Sequence, residues 1–295
     1  APLLRNSMTK QFYKNANRTT KEVLQELTQN EKLLGVLTGQ WGDHGLPPER
    51  SSFAMHAMVA RHYLDGGNYP VGGSRMIAEY ATDLIEKLGG KVVVSTGVDE
   101  ILVHGRKVTG VRLENGNELF ADKVVSSAGL VNTVNTFLRN QPQFSKFKSK
   151  LKKVQPTESY LCLYIGLKKS AKELGLKTTN LWIYPGYNHD KNIADYQKDP
   201  NVNFPVVYVS FPSAKDPDWD KNHPGCATME AITLGRWEWV EKWDKKPWKK
   251  RGNDYENFKE EISQKILEVV FKHVPNVKES LDHYELSTPL SVRDM

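Results

Sequence analysis

Cysteine is scarce in this 295-residue chain, which holds only Cys162 and Cys226. Two thiols exclude a disulfide scaffold and a cysteine-built zinc centre, so no metal site is expected, and they suit a reducing compartment. Long apolar runs are missing: none approaches the roughly 20 residues of a membrane span, and mean hydropathy is −0.56. No signal-peptide pattern is visible. The sequence has no Gly-x-Ser-x-Gly, no P-loop, no His-Glu-x-x-His and no Gly-x-Gly-x-x-Gly, which removes the commonest hydrolase, kinase, zinc-protease and dinucleotide signatures. Common nucleic-acid-binding signatures are absent too, so no nucleic-acid partner is expected. A net charge of +6 then reads as solubility or mild attraction to anionic surfaces.

The chain does have a globular composition, 39% hydrophobic and 26% charged, and enough length for a sizeable core. It starts at Ala1 and ends at Met295 just after a strand-like run, so a piece of a longer polypeptide is expected. Residues 1–38 read as helical, with Leu24, Leu27, Leu33, Leu34 and Leu37 as the apolar set. Glycines and prolines across 39–48 break that helix. A second helix runs from Ser51 to Leu64. After the turn Pro70-Val71-Gly72-Gly73, Ser74 can cap a helix striped by Ile77, Tyr80, Leu84 and Leu88. Strands are predicted at 92–94, 98–103, 108–113, 117–120 and 123–127, with Asn115-Gly116 as a hairpin turn. A basic amphipathic stretch covers 141–153. Strands at 159–167, 180–184, 205–211 and 227–234 precede a helix over 254–273.

Three stretches carry a family resemblance: Ser51-Ser52-Phe53-Ala54-Met55-His56-Ala57, Tyr69-Pro70-Val71-Gly72-Gly73 and Val125-Ser126-Ser127-Ala128-Gly129. Together they resemble the retinol saturase, carotenoid isomerase and phytoene desaturase family of FAD-dependent oxidoreductases. The Ser-Phe-x-Met-His run is most similar to the retinol saturase branch. The run Glu285–Leu290 resembles the segment before the family's C-terminal flavin-binding stretch. The family's glycine-rich opening and that closing stretch have no counterpart here.

The resemblance implies an α+β fold, in which a mixed substrate-domain sheet with helices accompanies a β-meander and a strand from a Rossmann-like FAD domain. The implied division is 1–69 for the helical part of the substrate domain, 70–129 for the FAD-domain portion and 130–295 for the rest of the substrate domain. The implied activity is saturation of a double bond in a retinoid or carotenoid, with carotenoid isomerisation, desaturation or a non-catalytic lipid- or membrane-binding module as alternatives. FAD is the implied cofactor of the full-length enzyme and NAD(P)H an electron donor; the isolated piece is expected to bind FAD weakly or not at all.

The resemblance also assigns residues. Gly72, Gly73, Val98, Ala128 and Gly129 are expected near the cofactor, against the plain alternative of turns and strand core. His56 is expected near the polar end of a hydrophobic polyene as a proton donor or hydrogen-bond partner, against the alternative of a satisfied core histidine. Met55, Met58, Tyr69 and Tyr160 are expected on the substrate. Between Arg236 and Arg251, four tryptophans stand among seven basic and three acidic residues. Trp239, Trp243, Lys245 and Lys246 are therefore expected at a membrane surface, against a solvated face with indoles turned inward. The location expected is cytoplasmic or peripheral to a membrane.

Overall fold

The computed structural model describes residues 7–154, 159–199 and 201–294. The chain divides into two compact units, Ala78–Thr157 and a larger one formed by Ala1–Ile77 with Glu158–Met295. The segment 130–157 thus groups with the meander, beyond the division at 129 that the resemblance implied. The fold is α+β, with two antiparallel sheets.

In the larger unit the helical run predicted for 1–38 is three helices, α1 (Ser7–Asn15), α2 (Thr20–Gln25) and α3 (Glu31–Leu37); residues 1–6 lie outside the described part. The breaks fall at capping residues. Thr19 accepts from the Glu22 backbone while the Glu22 carboxylate accepts from the Thr19 N–H, and Asn30 accepts from Lys32 and Leu33. Such side chains satisfy a new helix start and so end the helix before it. α4 (Phe53–Tyr63) is tied to this layer by a Thr19–Ser52 bridge.

The helix α5 (Arg75–Lys87) leads into the small unit, where β1 (Val98–His104), β2 (Lys107–Leu113) and β3 (Glu118–Phe120) form the predicted meander. Beyond it lie α6 (Leu130–Asn132), a π-helical turn over Thr133–Phe137, and α7 (Ser145–Leu151). Ile101, Val134, Leu138 and Leu151 are buried in this unit. Glu100 is buried as well, held by Arg112 at 2.5 Å and Asn140 at 3.0 Å. Two predicted strands do not form: 92–94 and 123–127 lack strand structure, and Val125 is 96% exposed. Their β-branched residues suit a strand, but a strand also needs a neighbour for its backbone hydrogen bonds. The apolar stripe of α5 is likewise uncovered, with Tyr80, Leu84 and Leu88 exposed.

The larger unit is built on a five-stranded sheet of order β5-β6-β7-β4-β8. Its members in chain order are β4 (Ser159–Leu167), β5 (Leu181–Ile183), β6 (Val207–Ser210), β7 (Ala227–Gly235) and β8 (Leu281–Ser287). Alternate residues of β4, Leu161, Leu163, Ile165 and Leu167, are buried, as the two-residue period of a strand with one core face requires. Between β5 and β6 runs α8 (His189–Lys198), a helix the sequence reading did not mark. The short turns α9 (Pro212–Lys215) and α10 (Trp219–Asn222) follow β6, and α11 (Trp237–Val240) follows β7. The long helix α12 (Asn253–His273) packs Ile262, Ile266 and Val270 into the sheet's core cluster. The last helix is α13 (Pro289–Asp294), whose Leu290 joins Val240, Trp243 and Tyr255 in a second, small core.

Candidate functional site

In the larger unit an open cavity of about 740 Å³ lies over β5 and β6. Its floor is aromatic. Trp182 and Tyr208 pair across these strands with ring centroids 4.7 Å apart. Against Trp182 runs the tight turn Trp41–Asp43, and Gly42 is what permits that approach: a Cβ there would stand 2.6 Å from the Trp182 ring. Tyr63 and Tyr69 complete the aromatic lining.

Polar residues also line the cavity, among them Gln40, Asn68, Thr178 and Thr179, and its hydrogen-bonded cluster centres on Lys215. Lys215, the last residue of α9, donates from Nζ to Asn180 Oδ1 at 2.5 Å and to Ser210 Oγ at 2.8 Å. Asn180 Nδ2 in turn donates to the Tyr208 hydroxyl at 2.6 Å. The ammonium lies 5.9 Å from the centre of the Tyr69 ring. Burial pushes the Lys215 pKa down, partly opposed by the Glu230 charge. Asp43 also lines the cavity; its residue is exposed, yet desolvation by surrounding protein atoms raises the carboxyl above the ordinary range, with His62 opposing.

Tyr69 leads into a second cavity of about 250 Å³, which Gly72 and Gly73 line. Both glycines have φ near +85°, a left-handed conformation that residues with a Cβ adopt only with strain. The turn is fastened by Asp216, whose Oδ1 accepts from the Gly72 N–H at 2.9 Å and the Asp218 N–H at 3.0 Å. Tyr69, expected on the substrate, and Gly72 and Gly73, expected near the cofactor, thus line one cavity. Burial, followed by the charges of Asp216 and Glu230, raises the Tyr69 pKa.

Other expected residues lie elsewhere. His56, on α4, is 8% exposed and does not line the cavity. Its ring packs edge-on to His44 at 6.2 Å and lies 6.1 Å from Phe53. Burial pulls the pKa of both histidines down, in His44 with the charge of His56 adding to it, and so favours their neutral forms. Met55 and Met58 are about half exposed on α4. Tyr160 is half-buried on β4 against the sheet core. In the small unit Val98 opens β1 opposite Leu113, while Ala128 and Gly129 are exposed at the start of α6, with Gly129 at φ +84°. Cys162 is no candidate nucleophile, because its thiol is pushed up to about 11, chiefly by burial.

The tryptophan-lysine segment needs correction. Trp243 is 2% exposed, donating to Asp254 Oδ2 at 2.6 Å, and Trp239 packs edge-on to Tyr196 at 5.2 Å. Both indoles are drawn inward because Val240, Trp243 and Tyr255 need a common core. Lys245 and Lys246 are exposed, and Lys246 donates to the Arg251 carbonyl at 2.9 Å. The exposed indoles of the segment are Trp237 and Trp248.

The sequence reading missed Lys215, Asn180, Trp182, Tyr208 and Asp216. Ser213 to Asp218 reads as a turn, but nothing in the sequence singles out Lys215 among 41 lysines and arginines. The pairing of β5 with β6 brings Trp182 to Tyr208, and the turn after β6 brings Lys215 to Asn180.

A complete FAD does not fit the described residues. Its pyrophosphate needs a glycine-rich turn between a strand and a helix N-terminus, and none is present among them. What they offer is open space where a Cβ would point at Gly73 and Gly129.

The comparisons first bear on the fold. A solved structure of an oxidoreductase from Methanosarcina mazei matches 92% of the chain and 56% of its own, with a TM-score of 0.65; at 15% identity this likeness speaks for the fold alone. More particularly, the homologues of this chain are all-trans-retinol 13,14-reductases. Proteins of that name from Danio rerio and Homo sapiens are 35% and 32% identical over 98% and 95% of the chain. The chain spans about half the length of these relatives, 49% and 47%. A phytoene desaturase from Neurospora crassa and a prolycopene isomerase from Daucus carota are more distant relatives, matching 59% and 81% of the chain. No family model matches.

Proposed function

We propose that this chain is the substrate-holding part of an FAD-dependent oxidoreductase that saturates one double bond of a conjugated polyene, as in an all-trans-retinol 13,14-reductase. The observation that carries the reading is the cavity over β5 and β6, where Tyr63, Tyr69, Trp182 and Tyr208 share the lining with the hydrogen-bonded cluster at Lys215. Aromatic faces shelter a conjugated apolar chain, and a hydrogen-bonding cluster fixes its direction. FAD supplies hydride chemistry when bound, and we assign most of its binding to the part of the relatives that this chain does not span. The residues of this chain bind the polyene and shield it from water.

Incubation of the longer protein with all-trans-retinol and reductant is expected to give a product heavier by two hydrogen atoms. An isomeric product of unchanged mass would favour the prolycopene isomerase-like reading, and loss of two hydrogens the desaturase reading. Peripheral membrane contact is also proposed, now through exposed Trp237, Trp248, Lys245 and Lys246. Among the described residues no helix is long and apolar enough to cross a membrane.

A further inference from the structure

We propose that Lys215 is a specificity residue that binds an oxygen function at the end of an otherwise apolar ligand, and so separates oxygen-bearing polyenes from hydrocarbon polyenes. This rests on the reading of the cavity as a polyene site.

Three observations carry it. First, the Lys215 ammonium has no carboxylate within ion-pair distance among the described residues. The acid beside it in sequence, Asp216, spends an oxygen on the backbone N–H groups of Gly72 and Asp218. Second, an ammonium has three N–H donors in a fixed tetrahedral set. Asn180 and Ser210 take two of them, and Asn180 is itself fixed by Tyr208. The head group is therefore held by two acceptors, with one donor left for a ligand, and the centre of the Tyr69 ring lies 5.9 Å from it. Third, four aromatic residues, Trp182, Tyr208, Tyr63 and Tyr69, line the same cavity as Lys215, with Asp43 the one acidic residue of the lining.

A partly desolvated cation is costly without a counter-group at contact distance, and burial lowers the Lys215 pKa although the Glu230 charge, beyond ion-pair distance, opposes it. A ligand hydroxyl or carboxylate oxygen accepting from Nζ relieves that cost. A hydrocarbon cannot, and entering the cavity it would displace water from the ammonium without replacing the lost hydrogen bond. Hydrogen-bonding sites reject ligands that lack the matching group for this reason.

The test is equilibrium binding of three probes, all-trans-retinol, all-trans-retinoate and a hydrocarbon carotene, to the 295-residue chain. Wild type is compared with Lys215→Met, which keeps the length and removes the charge, and Lys215→Arg, which keeps the charge. Melting temperatures establish that the variants are folded. The expected result for Lys215→Met is at least a tenfold loss of affinity for retinol, retinoate or both, with carotene affinity unchanged or increased, and partial recovery in Lys215→Arg. A loss for retinoate alone marks a carboxylate site, and a similar loss for both marks an oxygen acceptor in general. Unchanged affinity for both oxygen-bearing probes, or an equal loss for all three, overturns the proposal. Binding that ignores Lys215 leaves the polyene reading standing, whereas failure of wild type to bind any probe overturns both.

Discussion

At the scale of single residues, the buried histidines make the larger unit sensitive to acid. Burial lowers the pKa of His44, His56 and His189, in the last case against a 2.8 Å contact from its Nε2 to the Gly35 carbonyl. The unfolded chain takes up their protons near pH 6.5 and below, the folded chain only at lower pH. Protons therefore favour unfolding, and stability that is complete above the unfolded value is lost as pH falls below it. Each ring contributes a slope of at most about 1.4 kcal/mol per pH unit. Asp43 and Asp190, both raised chiefly by burial, act in the opposite sense near the carboxylate range. The melting temperature is expected to fall between about pH 7 and pH 5.5, and to fall less steeply in His56→Leu. A slope equal to wild type in that variant would mean that His56 titrates alike in both states.

At the scale of elements, the sequence was most legible where burial is one-sided. The alternation of β4, the matching run of β7 and the spacing of Ile262, Ile266 and Val270 on α12 all state their inner face directly. Legibility failed where structure depends on a distant partner. Residues 92–94 and 123–127 have strand-forming side chains but no ladder, and α8 offers only Ile193 and Tyr196 as a buried apolar signal. The candidate site was half legible for the same reason: the Gly72-Gly73 turn announces itself, whereas Trp182 meets Tyr208 through the register of β5 with β6 and Lys215 meets Asn180 through the turn after β6. The segment after β7 shows the limit of composition, since it counts tryptophans correctly but cannot tell which face inward. Its outward set leads to a specific expectation. Lysines near an anionic surface add about 1 kcal/mol each, screened by salt. The chain should pellet with anionic liposomes at low salt and not at high salt, and a variant with Trp237, Trp248, Lys245 and Lys246 changed to Ser should stay in solution. Equal pelleting of both proteins would remove the segment from the contact.

At the scale of the whole molecule, the two units differ in how far their own residues finish them. The larger unit closes a five-stranded sheet over a continuous core and shapes the aromatic cavity within its own residues. The small unit keeps the meander ordered, yet leaves the α5 stripe and two β-branched runs uncovered. The chain spans about half of its relatives, and on the function proposed above substrate handling lies in the part at hand and flavin binding mostly outside it. The central claim is therefore that the polyene lies over β5 and β6. The most direct measurement is photoaffinity labelling of the 295-residue chain with a retinoid that carries a photoreactive group, followed by mass-spectrometric mapping of the adducts. Adducts on Tyr63, Tyr69, Trp182 or Tyr208, suppressed by excess all-trans-retinol, are the predicted result. Adducts confined to the exposed Met55 and Met58 face of α4, or to Trp237 and Trp248, would contradict it.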